Sequence, residues 1–396
     1  MMQISPETQL FIREHSSDDV RVLALQAKKY PDIDMPTAIT QIAGRKVAAE
    51  KTPSWWEIEK IWYPKHLSLE QCSSEITARY KARLLQGDSL TDLTGGFGID
   101  CSFLATGFKS ATYVERQEEL CEIAAHNFPV LNLNHINIKN EDGVTYLQVM
   151  SPVDCLFLDP ARRNEHGGKT VAISDCEPNV AELEELLLQK ANRVMIKLSP
   201  MLDLSLALKE LKQTQEVHIL SVNNECKELL ILLGQTSPAE ISIHCVNLFT
   251  KGTQKEQHFV FTREQEQCSE CTYTDSLETY LYEPNASLLK AGAFRSIAAA
   301  YPVRKLHPNS HLYTSDTFIE NFPGRIFRIV NQCSFNKKEV KENLADLKKA
   351  NVTVRTFPAT VAELRKRIHL AEGGDTYLFA STLNNGQKVL IRCEKV

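Results

Sequence analysis

The chain of 396 residues has no long apolar segment. No run approaches the roughly 20 consecutive apolar residues that a membrane-spanning helix needs, so we expect no membrane partner. The first residues, 1–7, contain neither a basic stretch nor an apolar core, which argues against a signal peptide. With 43% hydrophobic and 24% charged residues, the composition is that of an ordinary globular protein of two or three domains.

Cysteines at metal-binding spacing are nearly absent. The eleven cysteines are scattered and odd in number, and several of them (Cys101, Cys155 and Cys245) fall in predicted strands or helices. This favours reduced thiols and a cytoplasmic location over a disulfide framework. Cys268 and Cys271 form a CxxC pair, but a zinc site needs a second pair of ligands, and none stands at matching spacing. We therefore expect no metal.

Positive charge is in the minority overall, with a net charge of −5, but not near the C-terminus. Residues 322–396 carry 14 Lys and Arg against 7 Asp and Glu. This asymmetry indicates a surface for an anion such as nucleic acid, or else a small domain with ordinary solvated lysines. The densest basic cluster is Arg365, Lys366 and Arg367, which either contacts phosphates or offsets the dipole of a predicted helix.

Hydrophobic periodicity divides the chain into four regions. Residues 1–85 favour helices and contain all three tryptophans, which we expect to pack this region onto the next one, with base stacking as the alternative. Residues 86–235 alternate short apolar runs with helical patterns, which is typical of a parallel sheet with crossover helices. Residues 236–321 form an α+β insert or linker with a predicted helix over 286–300. Residues 322–396 have the order β-α-β-α-β-β of a small α+β domain.

The second region predicts an α/β sheet with a defined ending. Its last two strands are separated only by Asn223-Asn224, so they must be antiparallel, because a parallel return needs a long crossover. The predicted strands cover residues 89–92, 111–114, 135–138, 154–158, 193–198, 217–222 and 229–233.

A glycine-rich turn follows the first of these strands. Asp92 ends the strand, and Thr94, Gly96 and Gly98 lie in the turn that leads into a helix near Ile99. Glycine lets the backbone approach a ligand closely, and the positive end of the helix suits a carboxylate. The alternative is a purely structural turn between a strand and a helix.

Acidic residues follow the next two strands. A carboxylate at Glu115 can accept hydrogen bonds from both ribose hydroxyls, and one at Asp142 can accept from an adenine amine. A surface acid and a turn residue are the respective alternatives. Arg116 makes NADP a rival ligand, but the glycine pattern is D-x-x-x-G-x-G and not G-x-G-x-x-G.

The ends of the fourth and fifth strands carry the candidate catalytic residues. Pro160 makes the loop after the fourth strand rigid, and Asp159 is placed to orient or deprotonate an acceptor nitrogen. Arg162 and Arg163 either hold a phosphate or anchor this loop. Lys197 ends the fifth strand and either contacts the substrate or caps the sheet.

Together these residues resemble class I S-adenosylmethionine-dependent methyltransferases over roughly residues 70–235. In that resemblance Asp92, Gly96 and Gly98 match the first motif, Glu115 the ribose acid, Asp142 the adenine acid, and Asp159-Pro160 the catalytic loop. It implies a Rossmann-like sheet, parallel with an antiparallel terminal hairpin, and S-adenosylmethionine as the cofactor.

The whole chain is similar to a narrower group, the bacterial methyltransferases with a C-terminal THUMP-like domain. The similarity is carried by Gln71–Glu75, Ala78–Ala82, Glu283–Ala286 and Leu306–Ser310. THUMP domains bind RNA, so the resemblance implies tRNA or rRNA as the substrate. Methylation of a small molecule or a protein, or a non-catalytic module that binds S-adenosylmethionine, are the alternatives.

One position departs from the family pattern. Methyltransferases of adenine and guanine amino groups usually have Asp/Asn-Pro-Pro-Tyr/Phe, in which the aromatic ring stacks on the base. Ala161 and Arg162 occupy the last two places here. The loop is therefore more similar to the Asp-Pro-Pro-Arg form of other RNA methyltransferases.

Overall fold

A computed structural model describes residues 4–162, 172–236 and 238–396, which form two compact units. The first unit comprises Met1–Gln215 and Leu229–Pro238, and the second comprises Glu216–Glu228 and Ala239–Val396. The chain therefore passes into the second unit at Glu216 and returns to the first unit at Leu229. The division into four regions that the sequence suggests stays a prediction.

Six helices open the first unit, and side-chain caps begin several of them. Ser5 accepts a hydrogen bond from the backbone N–H of Thr8, and Asp34 accepts one from Thr37. Trp55 packs edge-on against Phe97 with ring centroids 5.1 Å apart, and Trp62 packs against the same core cluster, whereas Trp56 is exposed. The packing role expected for the tryptophans is thus confirmed for Trp55 and Trp62. The helices are α1 (Pro6–Glu14), α2 (Val20–Leu25), α3 (Met35–Lys51), α4 (Pro53–Trp56), α5 (His66–Gln71) and α6 (Glu75–Ala82), with a 3-10 turn at Ala27–Lys29.

Strands and helices then alternate. In chain order they are β1 (Ser89–Asp92), α7 (Ile99–Ala105), β2 (Ser110–Glu115), α8 (Glu118–Val130), β3 (Ile136–Asn140), α9 (Gly143–Val149), β4 (Val153–Leu158), β5 (Ala161–Arg162), β6 (Cys176–Glu177), α10 (Val180–Lys190), β7 (Ala191–Leu198), α11 (Leu204–Glu210), β8 (Thr214–Val222) and β9 (Glu225–Gly234). A 3-10 turn at Ile173–Asp175 precedes β6.

The sheet of the first unit has the strand order β9-β7-β4-β1-β2-β3. β1 pairs in parallel with β2 and β4, β2 with β3, and β4 with β7, whereas β9 runs antiparallel to β7. This confirms the predicted Rossmann-like α/β class. The strand order reverses between β1 and β4, and in such sheets the carboxyl ends of the strands at this point flank the ligand-binding crevice.

The second unit contains two sets of paired strands, one formed by β8 with two later strands and the other a seven-stranded sheet. Its further elements are β10 (Ser242–Leu248), β11 (Glu256–Thr262), α12 (Arg263–Cys268), β12 (Tyr280–Pro284), α13 (Ala286–Ala291), α14 (Ser296–Ala300), β13 (Arg304–Lys305), β14 (Tyr313–Ser315), β15 (Gly324–Ser334), α15 (Lys337–Leu344), β16 (Lys349–Val354), α16 (Val361–Ile368), β17 (Ala371–Thr382) and β18 (Lys388–Lys395). β8 pairs in parallel with β10, and β10 antiparallel with β11. The other sheet has the order β13-β14-β12-β15-β18-β17-β16.

Two features of the second unit differ from the sequence-based expectation. β12 and β15 are antiparallel neighbours, so one sheet contains strands from both sides of the expected boundary near residue 322. The helix predicted over 286–300 is divided into α13 and α14, because Gly292 adopts a φ of 78° and ends α13.

All eleven cysteines are free thiols. Across the described ranges, none of the helices combines the length and the apolar character that crossing a membrane requires.

Candidate active site

The loop between β1 and α7 forms one wall of the site at the switch point. Gly96 and Gly98 have φ values of 54° and 85°, in the left-handed region that favours glycine. Gly95 lies so close to the next strand that a Cβ atom there would stand 2.3 Å from the ring of Tyr113. The hydroxyl of Tyr113 donates a hydrogen bond to the carbonyl of Gly96, so the loop is held tightly against β2.

Asp92 lies at the base of this loop, and its side chain is only partly satisfied. The residue is 1% exposed, and its Oδ1 accepts a hydrogen bond of 3.0 Å from the backbone N–H of Thr94. Its Oδ2 is buried without a partner among the described residues. Burial raises the pKa of Asp92 to about 8, and nearby carboxylates, foremost Asp100 and Asp159, act in the same direction.

Glu115 ends β2 and faces the same loop. Its Oε2 accepts a hydrogen bond of 2.9 Å from the N–H of Gly96, and its Oε1 accepts one of 2.8 Å from Gln117. A carboxylate oxygen can accept more than one hydrogen bond, so both oxygens keep capacity for a further donor.

Asp142 follows β3, and its contacts are those of a helix cap. Its Oδ1 accepts from the backbone N–H groups of Val144 and Thr145, both at 3.0 Å, at the start of α9. The side chain is exposed, and the adenine-binding role stays a prediction.

Asp159 joins a buried row of alternating charges. Its Oδ2 lies 2.5 Å from the Nζ of Lys197, which in turn lies 3.7 Å from Asp100. The Nζ of Lys81 lies 2.8 Å from the other oxygen of Asp100. Ser73 bridges Lys81 and Asp100, because it accepts from Lys81 at 2.7 Å and donates to Asp100 at 2.6 Å. We call these four charged residues the buried charge row.

The pKa values of the two acids of the buried charge row shift in opposite directions. Burial disfavours the charge of Asp100, but Lys81 and Lys197 outweigh it and lower the pKa of Asp100 below its ordinary value. Burial also raises the pKa of Asp159, and there Lys197 offsets the effect only in part. The Asp159 side chain keeps 36% of its surface exposed, whereas that of Lys81 keeps none. The row is therefore closed at Lys81 and open at Asp159.

The loops around Asp159 are tied together. Its backbone N–H donates a 2.6 Å hydrogen bond to Oγ1 of Thr94, which connects the loop after β4 to the loop after β1. Pro160 is buried next to it, and Arg162 lies in β5, which pairs with Cys176 in β6. Arg163 lies outside the described residues.

The basic cluster predicted near the C-terminus belongs to the second unit. Arg365, Lys366 and Arg367 lie in the last turn of α16. Lys366 is exposed, and the guanidinium carbon of Arg367 stands 4.0 Å from the centroid of the Phe335 ring. Arg367 therefore also contributes to packing.

Sequence reasoning gave no role to three polar residues at the site. Ser73 and Lys81 come from the helical region, and Asp100 is the second residue of α7. The available signal was Lys81 itself, a charged residue in helix α6. Thr77, Ala78 and Tyr80 of the same helix are buried too. A lysine at such a position needs a buried acid as its partner.

Comparisons with known proteins agree with this architecture. Residues 280–323 match a family described as a ferredoxin-like domain, and residues 324–395 match one described as THUMP domain-like. No curated protein matches the chain. A crystal structure from Porphyromonas gingivalis W83, named a "putative methyltransferase", is 34% identical over 100% of both chains with a TM-score of 0.87.

Two further structures are similar only in part. An rRNA methylase from Streptococcus thermophilus is 14% identical over 40% of this chain and 93% of its own, with a TM-score of 0.30. A Streptococcus mutans protein crystallised with SAH is 14% identical over 40% of this chain and 96% of its own, also with a TM-score of 0.30. Neither similarity is strong enough to carry an argument about this chain.

The full-length similarity is decisive, because it covers the glycine loop, the buried charge row and the C-terminal sheet at once. The chain belongs to the class I methyltransferases, in the bacterial group with a C-terminal THUMP-like domain.

Proposed function

We propose that the protein transfers the methyl group of S-adenosylmethionine to RNA, with tRNA or rRNA as the substrate. The proposal rests above all on Asp92, whose Oδ2 is buried without a described partner beside a glycine loop at the switch point. A buried polar atom without a hydrogen bond costs about 1–3 kcal/mol, so a polar ligand that completes it binds favourably.

The residues around the loop fit S-adenosylmethionine. Glu115 has acceptor capacity for the two ribose hydroxyls, and Gly96 and Gly98 leave room for close approach of the ligand. Thr94 and Asp142 complete the proposed cofactor contacts. When bound, the cofactor supplies a methyl group that its sulfonium already activates.

Asp159 is the proposed catalytic residue, supported by Pro160. It is the exposed end of the buried charge row, and its raised pKa suits a group that takes up a proton from the acceptor atom. Lys197 holds the carboxylate in one orientation, and Lys81 acts only through Asp100 and Lys197. Arg162, Arg163 and Lys197 are proposed to contact the substrate.

The C-terminal sheet offers a surface suited to RNA. α15 and α16 pack against it through one core cluster that includes Leu344, Leu364 and Leu378. With their apolar sides buried there, the two helices leave four lysines exposed: Lys337, Lys338, Lys341 and Lys366. Such a surface neutralises phosphates without reading sequence. The free thiols accord with a cytoplasmic location, where such substrates occur.

Changing Glu115 to Ala tests the cofactor. We expect S-adenosylmethionine affinity to fall by about 1.5–3 kcal/mol, the scale of hydrogen bonds to a charged group, as measured by isothermal titration. Glu118→Ala, an exposed acid three residues later, is the matched control and should bind normally. Binding of NADP instead of S-adenosylmethionine by the wild type would refute the proposal.

Changing Asp92 to Asn tests its protonation. The raised pKa means that, between about pH 4 and pH 8, Asp92 is protonated in the folded state and ionised in the unfolded chain. The free energy of unfolding therefore falls as pH rises through this window. Without ligand, wild type should therefore lose up to about 1.4 kcal/mol per pH unit relative to the variant in that window. Urea unfolding at three pH values measures this. Parallel curves would show that Asp92 is already ionised.

Changing Asp159 to Asn tests the chemistry. Cofactor affinity should stay near the wild-type value, while turnover falls by about 10²–10⁴, the usual range for a positioned acid–base group. The assay is transfer of labelled methyl to RNA from a strain that lacks the gene. Asp88→Asn changes an exposed acid paired with Lys109 and should leave turnover unchanged. Full activity of Asp159→Asn would remove this residue from the mechanism.

Changing Lys366 to Ala tests the RNA surface. Affinity should fall with salt, and the log–log slope should become shallower by about 0.7, the value for one phosphate contact on a single strand. Lys109→Ala removes an exposed charge from the first unit and should keep the wild-type slope. A triple Ala variant of residues 365–367 extends the test. Absence of RNA binding at low salt would favour a small-molecule or protein substrate.

A further inference from the structure

A group of metal-ligating side chains lies in the second unit, on three neighbouring strands. His218 of β8 and His244 of β10 are direct partners in the parallel register, so they project from the same face. Glu216 stands two residues before His218 and shares that face. His258 lies on β11, which pairs with β10 along the edge opposite β8, and its ring contacts His244.

Three of these residues bring donor atoms close together, and His258 adjoins them through its contact with His244. Oε2 of Glu216 lies 3.2 Å from Nε2 of His218, and Nδ1 of His244 lies 3.2 Å from Nε2 of His258. One donor atom each from Glu216, His218 and His244 fall within 4.8 Å of one another. Two ligands of a tetrahedral Zn²⁺ with bonds of 2.0–2.1 Å are separated by about 3.3 Å, so both short contacts have the length of an edge of such a tetrahedron.

We propose that Glu216, His218, His244 and His258 bind one first-row divalent transition metal ion, of which Zn²⁺ is the probe. Three imidazoles and one carboxylate are a donor set that suits such an ion and not Mg²⁺ or Ca²⁺, which prefer oxygen ligands. This inference is independent of the proposed methyl transfer.

Metal binding requires the stacked rings to turn. The rings of His218 and His244 are stacked with centroids 4.3 Å apart, and those of His244 and His258 are 5.3 Å apart. The strand register already fixes the backbone positions, so the longest donor separation can shorten by turning the rings. The ion would cross-link β8, β10 and β11 and stabilise the folded state.

The competing explanation is a hydrogen-bonded array of neutral histidines. In that case the contact between His244 and His258 is an N–H···N hydrogen bond, and the group does not bind Zn²⁺. The two explanations differ in whether the chain takes up the ion.

The experiment uses the full-length, chelator-treated protein without cofactor or RNA. Titration with Zn²⁺ should show one equivalent bound per chain and a rise in the melting temperature, whereas Mg²⁺ should give neither. His244→Gln should weaken Zn²⁺ binding by about 10–100-fold or more. His258→Gln changes an exposed side chain and should weaken binding similarly, so it keeps the test valid if His244→Gln does not fold.

The matched control removes the other candidate ligands. The double variant Cys268→Ser/Cys271→Ser should bind Zn²⁺ as the wild type does, and Co²⁺ bound in place of Zn²⁺ should show no thiolate charge-transfer band. No uptake of Zn²⁺, unchanged affinity in both histidine variants, or loss of binding in the cysteine variant would each overturn the assignment. None of these results bears on methyl transfer, which is measured separately.

Discussion

The buried ion pairs between Lys81, Asp100, Lys197 and Asp159 are the interaction on which the rest of the first unit depends. They connect α6, α7, β7 and the loop after β4, which are distant in the sequence. Each charge alone would be costly to bury, and removing one partner from such a row typically costs 3–5 kcal/mol, because it leaves an uncompensated charge. The row thus ties the helical N-terminal region to the loop after β4 and fixes the orientation of Asp159.

The glycine loop imposes the second constraint. Gly95 packs against Tyr113 and Gly96 donates to Glu115, so β1, β2 and the loop between them form one rigid piece. Within it Asp92 is held where water does not reach and with one oxygen unsatisfied. A buried polar atom without a hydrogen bond costs about 1–3 kcal/mol, so this part of the loop is less stable than a fully paired one would be.

The second unit combines segments that their family matches describe separately. The ferredoxin-like and THUMP-like segments share one sheet, because β12 of the first pairs with β15 of the second. The effect of substitutions in the basic helices on RNA binding is therefore best measured in the full-length chain. Removing residues 322–396 would also remove one of the strands that pair with β12. The histidine group lies on other strands of this unit, so a bound ion and a bound RNA can be tested independently.

The sequence by itself determined the local features of this protein. The predicted strands coincide with β1–β4 and β7–β9 to within a few residues, because apolar runs and turn residues are local signals. Asp92, Glu115 and Asp159 were predicted as site residues for the same reason, since each ends or directly follows an apolar run. The tertiary structure decided what depends on pairing and on contacts distant in sequence. Only folding brings Lys81 of α6 to Asp100, pairs β12 with β15 in one sheet, and sets His218 beside His244. Strand register and helix docking are determined by packing and not by residue spacing.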